Sequence, residues 1–148
     1  MIKAVLFDFD GTIVDSLKHI HPSWKSALAK QGVALSDEEI VRDVFYASKE
    51  ERVKKYGVDG EKLHADYGEA IRATLEFYEK NEHIDEVLLA LQKRGIKSAV
   101  VTLGNSQRVG ELLEQLQIRS HFDTVLGGND TARPKPHPDI ALQAMELL

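Results

Sequence analysis

Two aspartates stand two positions apart near the start of the chain. Asp8 and Asp10 lie in Phe7-Asp8-Phe9-Asp10-Gly11-Thr12 and follow the apolar run Ala4-Val5-Leu6-Phe7. This run has the length and boundaries of a fully buried strand. A carboxylate at the end of such a strand is costly unless a cation or hydrogen-bond donors meet it. An acidic turn after an edge strand gives the same pattern, so the pair alone leaves a structural and a catalytic interpretation open.

Further reactive side chains follow two later apolar stretches. Thr102 ends the first of them and is followed by Leu103-Gly104-Asn105, and Lys135 lies in a proline-rich segment after the second. Parallel sheets bind ligands at the carboxyl ends of their strands, so we expect these groups to meet there. An ionised carboxylate can attack phosphorus, while a lysine, a threonine hydroxyl and helix N-termini bind phosphate oxygens. Two adjacent carboxylates also suit Mg²⁺, so the pattern indicates phosphoryl transfer.

The apolar periodicity places these residues on an α/β core that is interrupted once. Strands are predicted at residues 2–8, 96–102 and 122–126, and helices alternate with the last two. Such alternation with continuous apolar strands is typical of a parallel, doubly wound, three-layer sheet. We therefore predict a core formed by residues 1–14 and 83–148.

The intervening residues 15–82 read as an all-helical lobe. Ser36 and Ser48 each open a capping box, Gly57 is placed to end a helix, and apolar residues from Leu63 to Tyr78 predict one longer helix. Trp24 falls on an apolar stripe and is predicted to be lobe core. A cluster of basic residues alternates with glutamates and is predicted to be a solvated helix face: Lys49, Arg52, Lys54 and Lys55.

Composition narrows the class of protein. The 148 residues are 43% hydrophobic and 29% charged, as in ordinary globular proteins. A net charge of −5 argues against a nucleic-acid partner. Cysteine is absent, and neither a signal peptide nor an apolar run of the ~20 residues needed for a membrane span is visible. We expect a soluble cytoplasmic protein without a membrane partner.

Three motifs together resemble those of the haloacid dehalogenase (HAD) superfamily. They are Asp8-Phe9-Asp10-Gly11-Thr12, Thr102 after a hydrophobic strand, and Lys135 in Lys135-Pro136-His137-Pro138-Asp139, in that order along the chain. The helical insertion directly after the first motif is similar to the small-capped branch that holds phosphoglycolate phosphatase and β-phosphoglucomutase.

The resemblance implies a Rossmann-like core with a helical cap and a role for each motif residue. Asp8 would be the nucleophile that forms an aspartyl-phosphate, and Asp10 the general acid and then base. Both would bind Mg²⁺. Thr102 and Lys135 would hold phosphoryl oxygens, with backbone N–H groups near Gly11 and Leu103. The implied activity is Mg²⁺-dependent hydrolysis of a small phosphomonoester, a phosphorylated metabolite.

Two departures from the family pattern qualify this expectation. A polar residue commonly stands where Leu103 is, and Asn105 is a candidate substitute for the lost contact. The fourth motif, an acidic Gly-Asp cluster on a later strand, is absent, so we expect a truncated chain with missing C-terminal strands and impaired activity. A phosphomutase or phosphonate hydrolase, the latter needing a lobe lysine such as Lys18, Lys25, Lys30 or Lys49, is an alternative. A catalytically inactive fragment or association module, dimerising through an exposed sheet edge, is another.

Several polar residues outside the motifs have two interpretations. His19 and His21 follow the first motif closely and are candidate substrate contacts, although helix-surface histidines would look the same. Arg133 could assist substrate binding or simply solubilise its loop. Asp130 could approach a metal, but its loop is a poor substitute for the missing acidic cluster.

Overall fold

The computed structural model describes residues 2–148, which form two compact units. The core unit holds the chain up to Asp15 together with Glu79–Leu148, and the helical unit is Ser16–Tyr78. The two predicted domains, a core of residues 1–14 and 83–148 and a helical lobe of residues 15–82, remain a prediction.

The core unit is built on a parallel three-stranded sheet. Its strands are β1 (Ala4–Phe7), β2 (Lys97–Val101) and β3 (Thr124–Leu126), in the order β1-β2-β3. Phe7 is paired with Val100, and Val101 with Leu126, so the three carboxyl ends meet at one edge. The predicted α/β class with a parallel sheet is confirmed.

Helices cover the sheet as the alternating pattern predicts. The helices of this unit are α5 (Ile84–Lys93), α6 (Ser106–Gln115) and α7 (Asp139–Leu147). Ala99, Val101 and Leu126 form one buried cluster with residues of α7, namely Ile140 and Ala144. Because successive strand residues face opposite sides, the fully buried Val100 points to the other face of the sheet.

The prediction of a fully buried first strand is wrong. Every residue of β1 is only half-buried. Within residues 2–148, β1 pairs with β2 on one side alone, so it is an outer strand of the sheet. Unpaired strand edges favour association, and dimerisation through this edge stays a prediction.

The helical unit contains no strand within residues 16–78. Its helices are α1 (Leu17–Ala29), α2 (Asp37–Ile40), α3 (Lys49–Tyr56) and α4 (Gly60–Arg72), and α2 continues into a π-helical segment, Val41–Phe45. The capping boxes at Ser36 and Ser48 are both formed. Gly57 ends α3 with a φ of 64°, in the left-handed region that favours glycine.

The predicted helix from Leu63 to Tyr78 is interrupted. α4 ends at Arg72, and a short 3₁₀ segment, Leu75–Phe77, follows. The break is at Thr74, whose backbone N–H and hydroxyl both donate to the carbonyl of Ile71, at 3.1 and 2.8 Å. Threonine therefore closes a tight turn that competes with continuation of the helix.

The core of the helical unit contains a buried arginine. Trp24 is buried, as predicted, and stacks on Tyr67 with ring centroids 3.9 Å apart. The Arg52 guanidinium carbon lies 4.2 Å from the centroid of the Trp24 ring, and Arg52 Nε donates to the Val44 carbonyl at 2.9 Å. The prediction of a solvated position is therefore wrong for Arg52, because cation–π contact and a carbonyl acceptor stabilise its buried charge. Burial lowers the pKa of this guanidinium.

None of the helices in the part of the chain that the structure describes could cross a lipid bilayer. The longest, α1 and α4, have 13 residues each, whereas a span needs about 20.

His64 should make the stability of the protein depend on pH. Burial, and then the positive charges of Arg52 and Lys49, lower the pKa of His64 below its ordinary value of 6.5. The unfolded chain therefore binds this proton more readily. The contribution of His64 to stability is complete above pH ~6.5 and is lost as the pH falls toward the folded-state pKa.

The measurement is the melting temperature at several pH values between about 7.5 and 5. The melting temperature of His64→Gln should fall less steeply with pH than that of the parent protein. His137→Gln, which changes an exposed histidine in the core unit, is the control and should retain the original slope. An unchanged slope in His64→Gln would contradict the assignment.

Candidate active site

Lys135 joins the loop after β3 to the ends of β1 and β2. Its Nζ donates to Asp8 Oδ1 at 2.9 Å and to the carbonyl of Val101 at 2.7 Å. A lysine ammonium has three N–H donors, so two are used and one remains for a ligand. The Asp8 and Lys135 side chains are 47% and 31% exposed, which leaves the pair accessible from solvent. The two residues that were predicted to act together are thus brought together at the carboxyl edge of the sheet.

The chain turns sharply after Asp8. Phe9 is buried, and its carbonyl accepts hydrogen bonds from the N–H groups of Thr12, Ile13 and Val14. The turn leaves Asp8 exposed at the strand end and Asp10 half-buried in the turn. Buried Phe9 therefore anchors the turn that carries both carboxylates.

Gly11 has a φ of 74°, so glycine suits this position in the turn. Its N–H donates to the carbonyl of Val14 at 2.9 Å. Phosphate binding through this N–H would require the Val14 carbonyl to be exchanged for a ligand oxygen. The predicted role of Gly11 stays a prediction.

Thr102 follows β2 directly, as Asp8 follows the neighbouring strand β1. Its backbone N–H donates to the carbonyl of Leu126 at 3.0 Å, and its hydroxyl oxygen accepts from Gly104 N–H at 3.1 Å. The hydroxyl can still donate its own hydrogen. Thr102 is buried, so the predicted contact with a phosphate oxygen depends on access to that hydroxyl.

Leu103 and Asn105 differ in what they offer to a ligand. The side chain of Leu103 is exposed, and its backbone N–H takes part in none of the hydrogen bonds found within residues 2–148. Asn105 instead caps α6: its Oδ1 accepts from Arg108 N–H at 3.1 Å. The sequence signal for a cap was present, because asparagine directly preceded a helical stripe.

Arg133 and Asp139 close the segment that carries Lys135. Arg133 Nε and Nη2 donate to the two carboxylate oxygens of Asp139 at 2.7 and 3.0 Å. This two-pronged ion pair spans the proline-rich segment and ties it to the first turn of α7. Asp139 lies in that first turn, and the pair gives Arg133 a structural partner.

The two candidate histidines lie in the helical unit. His19 stacks on Tyr78 with centroids 5.4 Å apart, and His21 makes an edge contact with Phe45 at the same distance. His19 Nε2 is buried and has no hydrogen-bond partner in the described part of the chain. Substrate contact by His19 and His21 stays a prediction.

The metal donors in the core unit are few. Within residues 2–148, no group of three or more histidine, cysteine, aspartate or glutamate side chains could hold a metal ion. An ionised carboxylate has about four lone-pair sites, and within those residues Asp8 uses one of them, at Oδ1, to accept from Lys135, so it keeps capacity for a cation as well as one oxygen without a hydrogen bond. Mg²⁺ is often held by one or two carboxylates with waters and substrate phosphates completing its shell. The oxygen donors of Asp8 and Asp10 therefore fit the chemistry of such a sparse site.

Residues 5–148 match the haloacid dehalogenase-like hydrolase family. The chain is 34% identical over 153 residues to PpaX of Caldanaerobacter subterraneus, whose pyrophosphatase assignment is provisional, and covers 68% of that protein. It is 30% identical over 150 residues to the phosphoglycolate phosphatase of Vibrio parahaemolyticus and covers 66% of it. These alignments take in 99% and 93% of the present chain.

A solved structure shows the same fold. A haloacid dehalogenase-like protein from Bacteroides fragilis superposes with a TM-score of 0.86 at 24% identity, over 99% of this chain and 72% of that one. The chain belongs to the haloacid dehalogenase-like hydrolase family and is a hydrolase. The family resemblance of the three motifs is thereby confirmed.

Asn105 should behave as a helix cap in a mutational test. Asn105→Ala removes the acceptor for Arg108 N–H and is expected to reduce the free energy of unfolding by about 1 kcal/mol, within a usual range of ~0.5–2 kcal/mol. Asn105→Ser retains a capping oxygen and should keep most of that stability. Urea denaturation of the two variants measures the difference. Equal stability of both variants would argue against the capping role.

Proposed function

We propose that this chain hydrolyses a small phosphate monoester through an aspartyl-phosphate on Asp8, with Mg²⁺ as cofactor. The observation that carries the proposal is the position of Lys135. The Lys135 ammonium donates to Asp8 Oδ1 and to the Val101 carbonyl at the end of β2, and its third N–H remains for a ligand. A 30% identical relative is a phosphoglycolate phosphatase, so phosphoglycolate is the first natural substrate to test.

The first step is attack by Asp8 on phosphorus. The hydrogen bond from Lys135 occupies Oδ1, so Oδ2 is the oxygen available as nucleophile. A bond forms between Oδ2 and phosphorus while the bond from phosphorus to the ester oxygen breaks. The Lys135 charge stabilises the phosphoryl oxygens as this happens. Leu103 N–H and the Thr102 hydroxyl are further donors at the same edge of the sheet.

Asp10 completes the proton transfers. In its protonated form it gives a proton to the departing alcohol oxygen. Its carboxylate then takes a proton from the water that attacks the aspartyl-phosphate, which releases phosphate and restores Asp8. Both carboxylates come from one short turn, so the same turn serves both half-reactions.

The charge balance of the site supports a requirement for a divalent cation. Asp8 and Asp10 contribute two negative charges when ionised and Lys135 one positive charge, and a phosphate ester brings further negative charge. Two unit charges 4 Å apart interact by about 1 kcal/mol in bulk water and by several times more near a protein surface. When bound, Mg²⁺ would offset the repulsion between ester and carboxylates, held by Asp8 and Asp10.

Three of the four candidate lobe lysines give no support to the phosphonate alternative. A Schiff-base lysine needs a lowered pKa, whereas hydrogen bonds from Lys30 to Asp66 and Glu69 raise the pKa of Lys30. Lys25 is ion-paired with Asp37 and Lys49 with Glu61. An inactive association module remains an outcome of the experiments below.

Asp8→Asn tests the nucleophile. The change retains the shape of the side chain but removes the charged oxygen, so turnover of p-nitrophenyl phosphate with Mg²⁺ should fall on the order of 10³-fold or more. Release of p-nitrophenol is followed by absorbance. The same assay after removal of Mg²⁺ with a chelator should show a comparable loss.

Asp85→Asn is a matched control for this experiment. Asp85 Oδ1 also accepts from a lysine, Lys80, at 2.9 Å, and that lysine is likewise 31% exposed. Because Asp85 lies in the first turn of α5, its loss should leave turnover unchanged. Full activity in Asp8→Asn, or an inert parent protein, would overturn the proposed function.

Asp10→Asn should separate the two chemical steps. Loss of an acid–base group typically costs about 10²–10⁴-fold in rate. The p-nitrophenolate leaving group needs little protonation, so the first step should continue while hydrolysis of the aspartyl-phosphate slows. Rapid mixing should then show a burst of about one p-nitrophenol per protein followed by slow turnover. A slow, linear time course without a burst would show that Asp10 acts before the covalent intermediate forms.

A further inference from the structure

The loops that follow β2 and β3 are joined to each other by hydrogen bonds. The β2 loop is residues 103–106 and the β3 loop is residues 127–130. Gly128 N–H donates to the carbonyl of Gly104 at 3.0 Å. Asn129 Oδ1 accepts from Ser106 N–H at 2.9 Å, and Asn129 Nδ2 donates to Ser106 Oγ at 3.1 Å. Three hydrogen bonds thus fix one loop on the other.

Two glycines allow the loop backbones to approach this closely. A Cβ atom on Gly127 would lie 2.3 Å from the Gly104 carbonyl oxygen and 2.5 Å from Ser106 N. A Cβ on Gly128 would lie 2.8 Å from the carbonyl oxygen of Leu103. Since these neighbours are backbone atoms, a side chain at either position would displace the β2 loop itself.

The Asn129 amide is held in place from its own loop. Asn129 Nδ2 also donates to Asp130 Oδ1 at 3.1 Å, and Asp130 Oδ2 accepts from Gly127 N–H at 2.8 Å. Both carboxylate oxygens of Asp130 therefore serve the β3 loop, which gives that residue a structural role. The amide presents an acceptor and a donor to Ser106 in one fixed orientation, a combination that a carboxylate lacks.

The hydrogen bonds between the two loops constrain residues 102–106, which include the candidate phosphate donors Thr102 and Leu103. At its start, Thr102 N–H is bonded to Leu126 in β3, and the Thr102 hydroxyl accepts from Gly104 N–H. At its end, Ser106 is the first residue of α6 and is held by Asn129. Leu103 N–H lies between the two fixed points. Its direction is thus set by the sheet at one end and by Asn129 at the other.

We propose that Asn129 is a positioning residue that holds the β2 loop in the conformation that binds phosphoryl oxygens. This inference rests on the proposed function. Asn129 has no contact with the reacting atoms in the mechanism above and acts through Ser106 and Leu103. Misplacement of a binding group by about 1 Å can cost ~10²-fold in rate, so loosening this loop should be costly even when the fold survives.

The test compares Asn129→Ala with two milder variants. Asn129→Ala should raise the KM for p-nitrophenyl phosphate and the inhibition constant of inorganic phosphate together, by about tenfold, because both depend on the same donors. Asn129→Asp keeps the acceptor for Ser106 N–H, and Ser106→Ala keeps that N–H. Ser106→Ala loses only the bond that Asn129 Nδ2 donates to Ser106 Oγ and should show a smaller effect. Asn129→Asp also loses the bond to Asp130 Oδ1 and places two carboxylates side by side, so its effect should lie between those of the other two variants. Gln107→Ala is the control. It changes the residue after Ser106 and removes an exposed hydrogen bond to Glu111, so both constants should match those of the parent protein.

A second readout separates positioning from stability. Hydrogen exchange of the Gly104 and Ser106 amides should accelerate in Asn129→Ala, while exchange in β2 remains slow. If Asn129→Ala lowers the melting temperature but leaves both constants unchanged in an active, Asp8-dependent enzyme, the positioning role is overturned and the proposed function stands. An inert parent protein overturns both.

Discussion

The whole site depends on a lysine that bonds two strands at once. Lys135 bonds Asp8, directly after β1, and the carbonyl of Val101 in β2, which are 127 and 34 positions away in the sequence. Because Val101 is already fixed in the sheet, the lysine fixes the carboxylate relative to the backbone. The Arg133–Asp139 ion pair in turn restricts the conformation of the segment that carries Lys135. The position of the nucleophile is thus determined by contacts from every strand of the sheet or the loop after it.

Local chemistry explains what the sequence predicted well. The capping boxes at Ser36 and Ser48 and the helix end at Gly57 depend on residues within one turn, so their pattern is visible in the sequence. The core strands were predicted because each is a short run of apolar residues, a pattern that is also visible in the sequence. Arg52 was misassigned because its burial depends on Trp24, on another helix, which supplies the aromatic face for its charge. The early end of α4 coincides with the turn in which the Thr74 N–H and hydroxyl both donate to the Ile71 carbonyl, and the apolar periodicity does not reveal such a turn.

In the candidate site, too, features set by nearby residues could be predicted and contacts between distant residues could not. The positions of Asp8, Thr102 and Lys135 after successive parallel strands were enough to predict that they share one edge of the sheet, since parallel strands end at one edge. The contacts of Asn129 with Ser106 link residues 23 positions apart and were not predicted. The pair Gly127-Gly128 was the available signal, because adjacent glycines after a buried strand indicate close backbone approach. The sequence does not show what approaches them.

The glycines of the β3 loop explain how the site gains rigidity without bulky side chains. Close backbone contact fixes the β2 loop relative to the parallel sheet, so the direction of its N–H groups is set by the ends of β2 and β3, where Val101 and Leu126 are buried. A long side chain in the same place would add rotatable bonds and lose precision. Phosphoryl transfer gains most from fixed donors, because its charge develops on oxygens that are already present in the substrate. A short loop supported by a second short loop is therefore a suitable way to build this half of the site, with Lys135 and Asp8 forming the other half.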